Sequence, residues 1–185
     1  PQEQQYISHY HSPLGPITLA ATKKALTGLW FDGQKYDRAT LPPQAQPKEL
    51  AIFDQVSAWL DDYFQGLEPI VNFPLALNGS KFRMTVWETL LTIPYREVKT
   101  YKDISMIVAK QLGKTSMSFQ AIGGAIGHNP ISIIIPCHRV IGTNRSLTGY
   151  AGGIEKKIAL LELEHIDTSS FIKPKKKKKG GREVV

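Results

Sequence analysis

The first forty residues alternate between apolar and polar positions over short runs. In "ISHYHSPLGPITLAAT" two strand-like runs flank the turn Ser12-Pro13-Leu14-Gly15, and "ALTGLWFDG" adds a third that ends at Asp32-Gly33. "TLPPQAQP" reads as a loop. From Lys48 to Gln65 the period changes. Leu50, Phe53, Val56, Trp59, Leu60, Tyr63 and Phe64 fall at helical spacing, and Gly66 offers a stop. "GLEPIVNFPLALNG" then reads as a linker, closing an α+β part over residues 1–78.

The part from 79 to 167 is predicted helical. Ser80 can cap a helix carrying Phe82, Val86, Leu90 and Leu91, ending before Pro94. Tyr101, Ile104, Val108 and Leu112 mark a second helix, closed by Gly113. Ser116 or Ser118 can cap a third, "FQAIGGAIG". The last pair has the form of a loose helix-turn-helix. Ala121, Gly123, Gly124 and Ala125 lower helix propensity, by about 1 kcal/mol per Gly. That cost is reasonable for close approach to another surface or for tight helix packing, and the stretch alone does not choose. "NPISIIIPC" reads as a short buried strand closed by proline, "IGTNRSLTGYAGG" as a Gly-rich loop. Ile154, Ile158 and Leu161 line a last helix with Glu164 near its end. From Thr168 to Val185 the chain reads as a disordered basic tail.

Composition changes this picture in two places. The formal charge of +7 points to nucleic acid, yet seven of the 23 Lys and Arg and one of the 16 acids lie from Lys173 onward. The rest holds 16 basic and 15 acidic residues, so its overall field is weak. The lysine run itself reads as a phosphate-binding arm, a nuclear-localisation-like signal, or a tail with no specific role. The second place is cysteine. There is one, Cys137, between "IIIP" and His138-Arg139. One thiol forms no internal disulfide and no Cys-rich zinc site, which favours a reducing setting, cytoplasmic or nuclear. No apolar run approaches the roughly 20 residues of a membrane span, and no metal-ligand spacing or cofactor motif stands out. A lone Cys is most often an inert small hydrophobe. A nucleophilic one calls for a lowered pKa, partial exposure and a base or cation nearby.

"IPCHRVIG", preceded by "GHNPISI" and followed by "SLTGYAGGIEKK", resembles the O6-alkylguanine-DNA alkyltransferases, single-use DNA-repair proteins. The match runs over roughly residues 80 to 165. It is weaker in the N-terminal part, through "SPLGPITLAAT", "LTGLWF" and "WLDDYFQG". The resemblance implies an N-terminal α+β domain with a ribonuclease H-like strand core. It also implies a C-terminal winged helix-turn-helix-like domain bearing the active site. It implies a monomer that needs no cofactor, membrane or protein partner and acts on duplex DNA carrying O6-alkylguanine, and on O4-alkylthymine.

By the same resemblance Cys137 is the nucleophile, His138 its base through a water, and Glu164 the group that orients His138. Displacement at a saturated carbon suits a thiolate, and the thioether product has no easy return, so one Cys suits a reagent spent once. Tyr101 matches a tyrosine that helps rotate the target nucleotide, and Asn129 an asparagine that braces the active-site turn. Val140, Tyr150 and Ala151 match pocket positions, and Lys157 a lysine near the pocket. Gln120, Ala121 and Gly124 lie on the helix that enters the minor groove. Gln120 departs from the family pattern, which commonly has arginine there, and so predicts weaker duplex affinity. Two other readings compete: a lesion-binding protein that does not repair, and a helix-turn-helix regulator whose Cys is structural. Cys137 speaks against the first, the whole "PCHRV" context against the second.

Overall fold

The computed structural model describes residues 3–174. The predicted meander is present. β1 (Tyr6–Ser12) turns through Pro13 and Leu14 into β2 (Gly15–Ala21), and β3 (Leu26–Phe31) follows, all antiparallel. Gly15 closes the turn at φ +112°, a conformation that favours glycine. A two-residue strand, β4 (Gln46–Pro47), pairs parallel to β1, giving the order β3-β2-β1-β4. Helix α1 (Ala51–Phe64) lays Ile52, Phe53, Val56, Trp59, Leu60 and Tyr63 into the core that also holds Ile17, Leu19, Leu29 and Phe31.

The second half is helical, as its spacing predicts. Ser80 caps α2 (Lys81–Leu90) by accepting from the Arg83 amide, and Ser118 caps α4 (Phe119–Gly127) by accepting from Ala121. Between them α3 (Tyr101–Gln111) opens on a capping box made by Thr100 and Asp103. Two short strands, β5 (Lys99–Thr100) and β6 (Val140–Ile141), pair in parallel, and α5 (Ile154–Leu163) follows the loop after β6. The whole is α+β, and one hydrophobic core runs through both halves, from Ile17 and Val56 to Ile122 and Leu160. No helix among the described residues is long and apolar enough to cross a membrane.

What joins the halves is the free edge of β3. The Leu26 amide donates to Pro74 O and its carbonyl accepts from Ala76, so the far end of the expected linker is strapped to the sheet. Three residues on, Leu29 makes the same paired contacts with Pro130 and Ser132, at the start of the segment that leads to Cys137. That segment is not the strand its β-branched run predicts. It is buried but irregular, with Ile133 at φ +71°. The reason is Asn129: its side chain accepts from the Ile131 amide and donates to Ile135 O, replacing the ladder a strand would need. A β-branched residue at positive φ is strained, and the strain sits three residues before Pro136 and four before Cys137.

The second departure is at the C-terminus. Thr168 and Phe171 are buried, and Phe171 packs with Ile141, Leu147 and Leu161 in a small core of its own. Ile172 pairs with the 145–147 strip, donating to Arg145 O and accepting from Leu147. The expected tail is therefore folded from Thr168 as far as that bridge, because one aromatic anchor outweighs its polar surroundings. The lysine run at 175–179 lies outside the described residues.

Candidate active site

Cys137 opens a short 3-10 turn, Cys137–Arg139, which aims three consecutive side chains at different surroundings. Its sulfur lies at a cleft of about 450 Å³ that Tyr101, Gln120, Gly123, Gly124, Tyr150 and Ala151 help to line. Only 4 % of Cys137 is exposed, and burial pushes its thiol above the ordinary value. This reverses the lowered pKa and partial exposure expected of a nucleophile. Asn129, the Lys157 charge and the amides of Cys137 and His138 work the other way without overcoming desolvation. The resting sulfur is a protected thiol.

Behind it lies a buried histidine–carboxylate pair. His138 is fully buried, and its Nε2 donates to Glu164 Oε2. Burial outweighs the neighbouring carboxylate and holds the imidazole below its usual range, so it rests neutral with the proton on Nε2. Nδ1 then carries a lone pair that no group among the described residues takes up. Glu164, capping α5, is also fully buried. Burial pushes its carboxyl up, but the His138 contact and Arg139 more than offset this and hold it at about 2. Arg139 Nε donates to Glu164 Oε1 at 2.6 Å, and its Nη1 donates to Ile93 O at 2.7 Å. The permanent guanidinium charge keeps the carboxylate ionised in either state of the imidazole.

A third donor reaches the same carboxylate. Tyr63 Oη, from the last turn of α1, donates to Glu164 Oε2 at 2.6 Å across both halves of the chain. Its burial, and then the carboxylate, raise the phenol well above the usual range, so it stays a donor. Sequence reasoning placed Tyr63 only on the apolar face of a helix. No local signal marks it otherwise, since its partner is 101 residues away.

Lys157 is fully buried. Its Nζ donates to Val140 O at 2.5 Å, Thr148 O at 2.9 Å and Gly149 O at 3.2 Å, tying the cleft-lining loop to β6. Burial lowers its pKa to about 8, with Cys137 acting against that shift. Tyr101 begins α3 at the cleft, its hydroxyl 3.5 Å from Thr148 O, the outer limit of a hydrogen bond. The Tyr150 carbonyl accepts from Gly153 and that of Ala151 from Lys35. Lys35 and Tyr36, on the loop after β3, line the cleft too and were not foreseen.

The remaining positions divide around α4. Gln120 and Gly124 are exposed and line the cleft, whereas Ala121 is exposed outside it. A Cβ added at Gly123 or Gly124 would meet nothing within 4 Å. These glycines therefore do not serve tight packing inside the protein, and they leave an open face for something from outside. Among the described residues no group of three or more His, Cys, Asp or Glu is placed to hold a metal ion.

Residues 5–77 match the ribonuclease-like domain of 6-O-methylguanine DNA methyltransferase, and residues 81–166 match its DNA binding domain. The chain belongs to this family. It is 37 % identical over 162 residues to a methylated-DNA–protein-cysteine methyltransferase of Haemophilus influenzae, covering 87 % of each chain. It is 44 % identical over 160 residues to one of Mycobacterium bovis, covering 84 % of this chain and 92 % of the relative. Among solved structures, the Mycobacterium tuberculosis OGT in complex with DNA superposes with a TM-score of 0.74 at 40 % identity, covering 90 % of this chain and 95 % of the other. Within the family, the first match corresponds to the strand-rich half and the second to everything from α2 through Glu164.

Proposed function

We propose that this protein removes an alkyl group from O6 of guanine in duplex DNA, and from O4 of thymine, and keeps it on Cys137. The observation that carries this reading is the thiol at the cleft beside a neutral, carboxylate-backed imidazole whose Nδ1 is free. In the reaction the Sγ proton passes to His138 Nδ1 through a water, and Glu164 stabilises the imidazolium so formed. Sulfur attacks the alkyl carbon, an S–C bond forms as the C–O6 bond breaks, and the electron pair leaves with the base. The proton given up by the thiol is the one guanine needs to regain its N1–H. Atoms and charge balance, and nothing regenerates the thiol.

The target atom lies inside a base stack, so the nucleotide must be extruded into the cleft. The open glycine face of α4 supports an approach to the minor groove, with Gln120 and Ala121 at the contact and Tyr101 beside the turning nucleotide. Tyr150 and Ala151 line the base position, and Val140 stands behind it on β6, its carbonyl tied to their loop through Lys157. The protein acts as a monomer in a reducing compartment, and the two halves, 1–78 and 79–167, divide as scaffold and reagent.

The test is intact mass after incubation with a duplex carrying O6-methylguanine, with Cys137→Ser in parallel. A single gain of about 14 Da in the parent and none in the variant is expected for stoichiometric transfer. A folded parent that binds the duplex and gains no mass would sink the proposal.

A further inference from the structure

Helix α4 opens on its exposed side with an aromatic residue. Phe119 is 60 % exposed, contributes to neither hydrophobic core, and stacks on no other ring among the described residues. Residues four apart on a helix are neighbours on one face. Phe119 therefore heads the row that continues through Gly123 and Gly127, both of which line the cleft. Gln120 heads the adjacent row, which continues through Gly124. Gln120 lines the cleft that holds Cys137, and Phe119 precedes it at the exposed start of the helix. Around them Ser116, Ser118 and Ala121 are uncharged and exposed.

An exposed Phe at a helix start lies outside both hydrophobic cores, and its place fits the event that the cleft requires. When a nucleotide leaves the stack, the bases on either side lose a stacking partner and the opposite base loses its pair. A planar apolar ring can occupy the first vacancy, and an amide can hydrogen-bond the second. Gln120 by itself can do only the latter. We propose that Phe119 is a stacking wedge, entering the duplex beside the extruded nucleotide while Gln120 pairs with the orphaned base. This rests on the alkyl-transfer reading above. It gives the contact an uncharged character: the wedge's contribution is insensitive to salt, whereas a cationic contact fades as counterion release loses its advantage.

The experiment compares full-length parent, Phe119→Ala and Phe119→Trp. Single-turnover rates are measured with free O6-methylguanine, with a single strand containing it, and with the duplex, at low and moderate salt. In parallel, 2-aminopurine fluorescence beside the lesion is followed in a Cys137→Ser background, which holds the complex before transfer. The ratio of duplex to free-base rate is expected to fall about tenfold or more in Phe119→Ala. Trp should restore it, the loss should be equal at both salts, and the 2-aminopurine signal should drop. An unchanged ratio, or a loss of the same size on single strand and duplex, overturns the wedge. If the parent takes no methyl group from any of the three substrates, the failure belongs to the alkyl-transfer reading instead.

Discussion

The inside of the cleft and its outer rim are built on opposite terms. Inside, Glu164 takes hydrogen bonds from His138, Arg139 and Tyr63, and Lys157 gives three to backbone carbonyls; Glu164, His138, Tyr63 and Lys157 are buried and Arg139 is mostly so. At the rim, Phe119, Gln120 and Gly124 are exposed, and no charge lies on α4. The interior is pre-organised, so moving a proton off the thiol requires little rearrangement at the moment of reaction. On the proposal above, the exposed rim takes its partners from DNA. The difference separates two properties that a single rate constant would mix: interior changes should slow free base and duplex alike, and rim changes should slow the duplex alone.

The strongest challenge to that separation is Glu164→Gln. It breaks a buried ion pair and weakens the support for imidazolium. We expect transfer to free O6-methylguanine and to duplex to fall together by about 100-fold, and stability to fall by about 3 kcal/mol in urea unfolding. The same variant sharpens the acid behaviour. Glu164 is held at about 2 in the fold against an ordinary 4.5, so its stabilisation is present above pH 4.5 and is lost as pH falls toward 2. Unfolding titrations of the parent should steepen across that window, and those of Glu164→Gln should be flatter.

Truncation after Asp167 asks to which region the loop over the cleft belongs. Sequence composition alone predicts an unchanged free-base rate and weaker salt-sensitive DNA binding, since the segment reads as a basic tail. Loss of Phe171 and of the Ile172 bridge should instead cost about 2 kcal/mol. It should also raise hydrogen exchange across residues 143–150. A free-base rate that falls with it makes the loop part of the interior; a fall confined to duplex makes it rim. Smallest is Tyr63→Phe, which removes one hydrogen bond to a charged acceptor. It should lower stability by about 1.5 kcal/mol and slow free-base and duplex transfer by the same modest factor. Its pH–rate profile should move as well, because the carboxylate behind His138 loses a donor.

Much of this was readable in the residues and some was not, for definite reasons. Ser80, Ser118, Gly66 and Gly113 announced helix ends because capping and positive φ are local demands. The Cys137–His138 pair was visible because its members are adjacent. Ile131 to Ile135 was misread because hydrophobicity reports burial and not backbone direction, and the direction is set by the side chain of Asn129. Phe171 was hidden by the polar and basic residues around it. Tyr63 and the burial of Lys157 depend on contacts between distant parts of the chain, which periodicity cannot encode. The raised pKa of Cys137 belongs to the same class, since desolvation is a property of the assembled fold.

The bond from Tyr63 to Glu164 also has a meaning in time. A ribosome makes Tyr63 first, Cys137 later and Glu164 last, so a growing chain that has just exposed its thiol has neither the carboxylate nor the docked helix that supports it. Tyr63, His138 and Glu164 come together only when these distant parts of the chain meet. On the alkyl-transfer proposal, the order of synthesis sets the carboxylate that backs the imidazole in place after the thiol it serves.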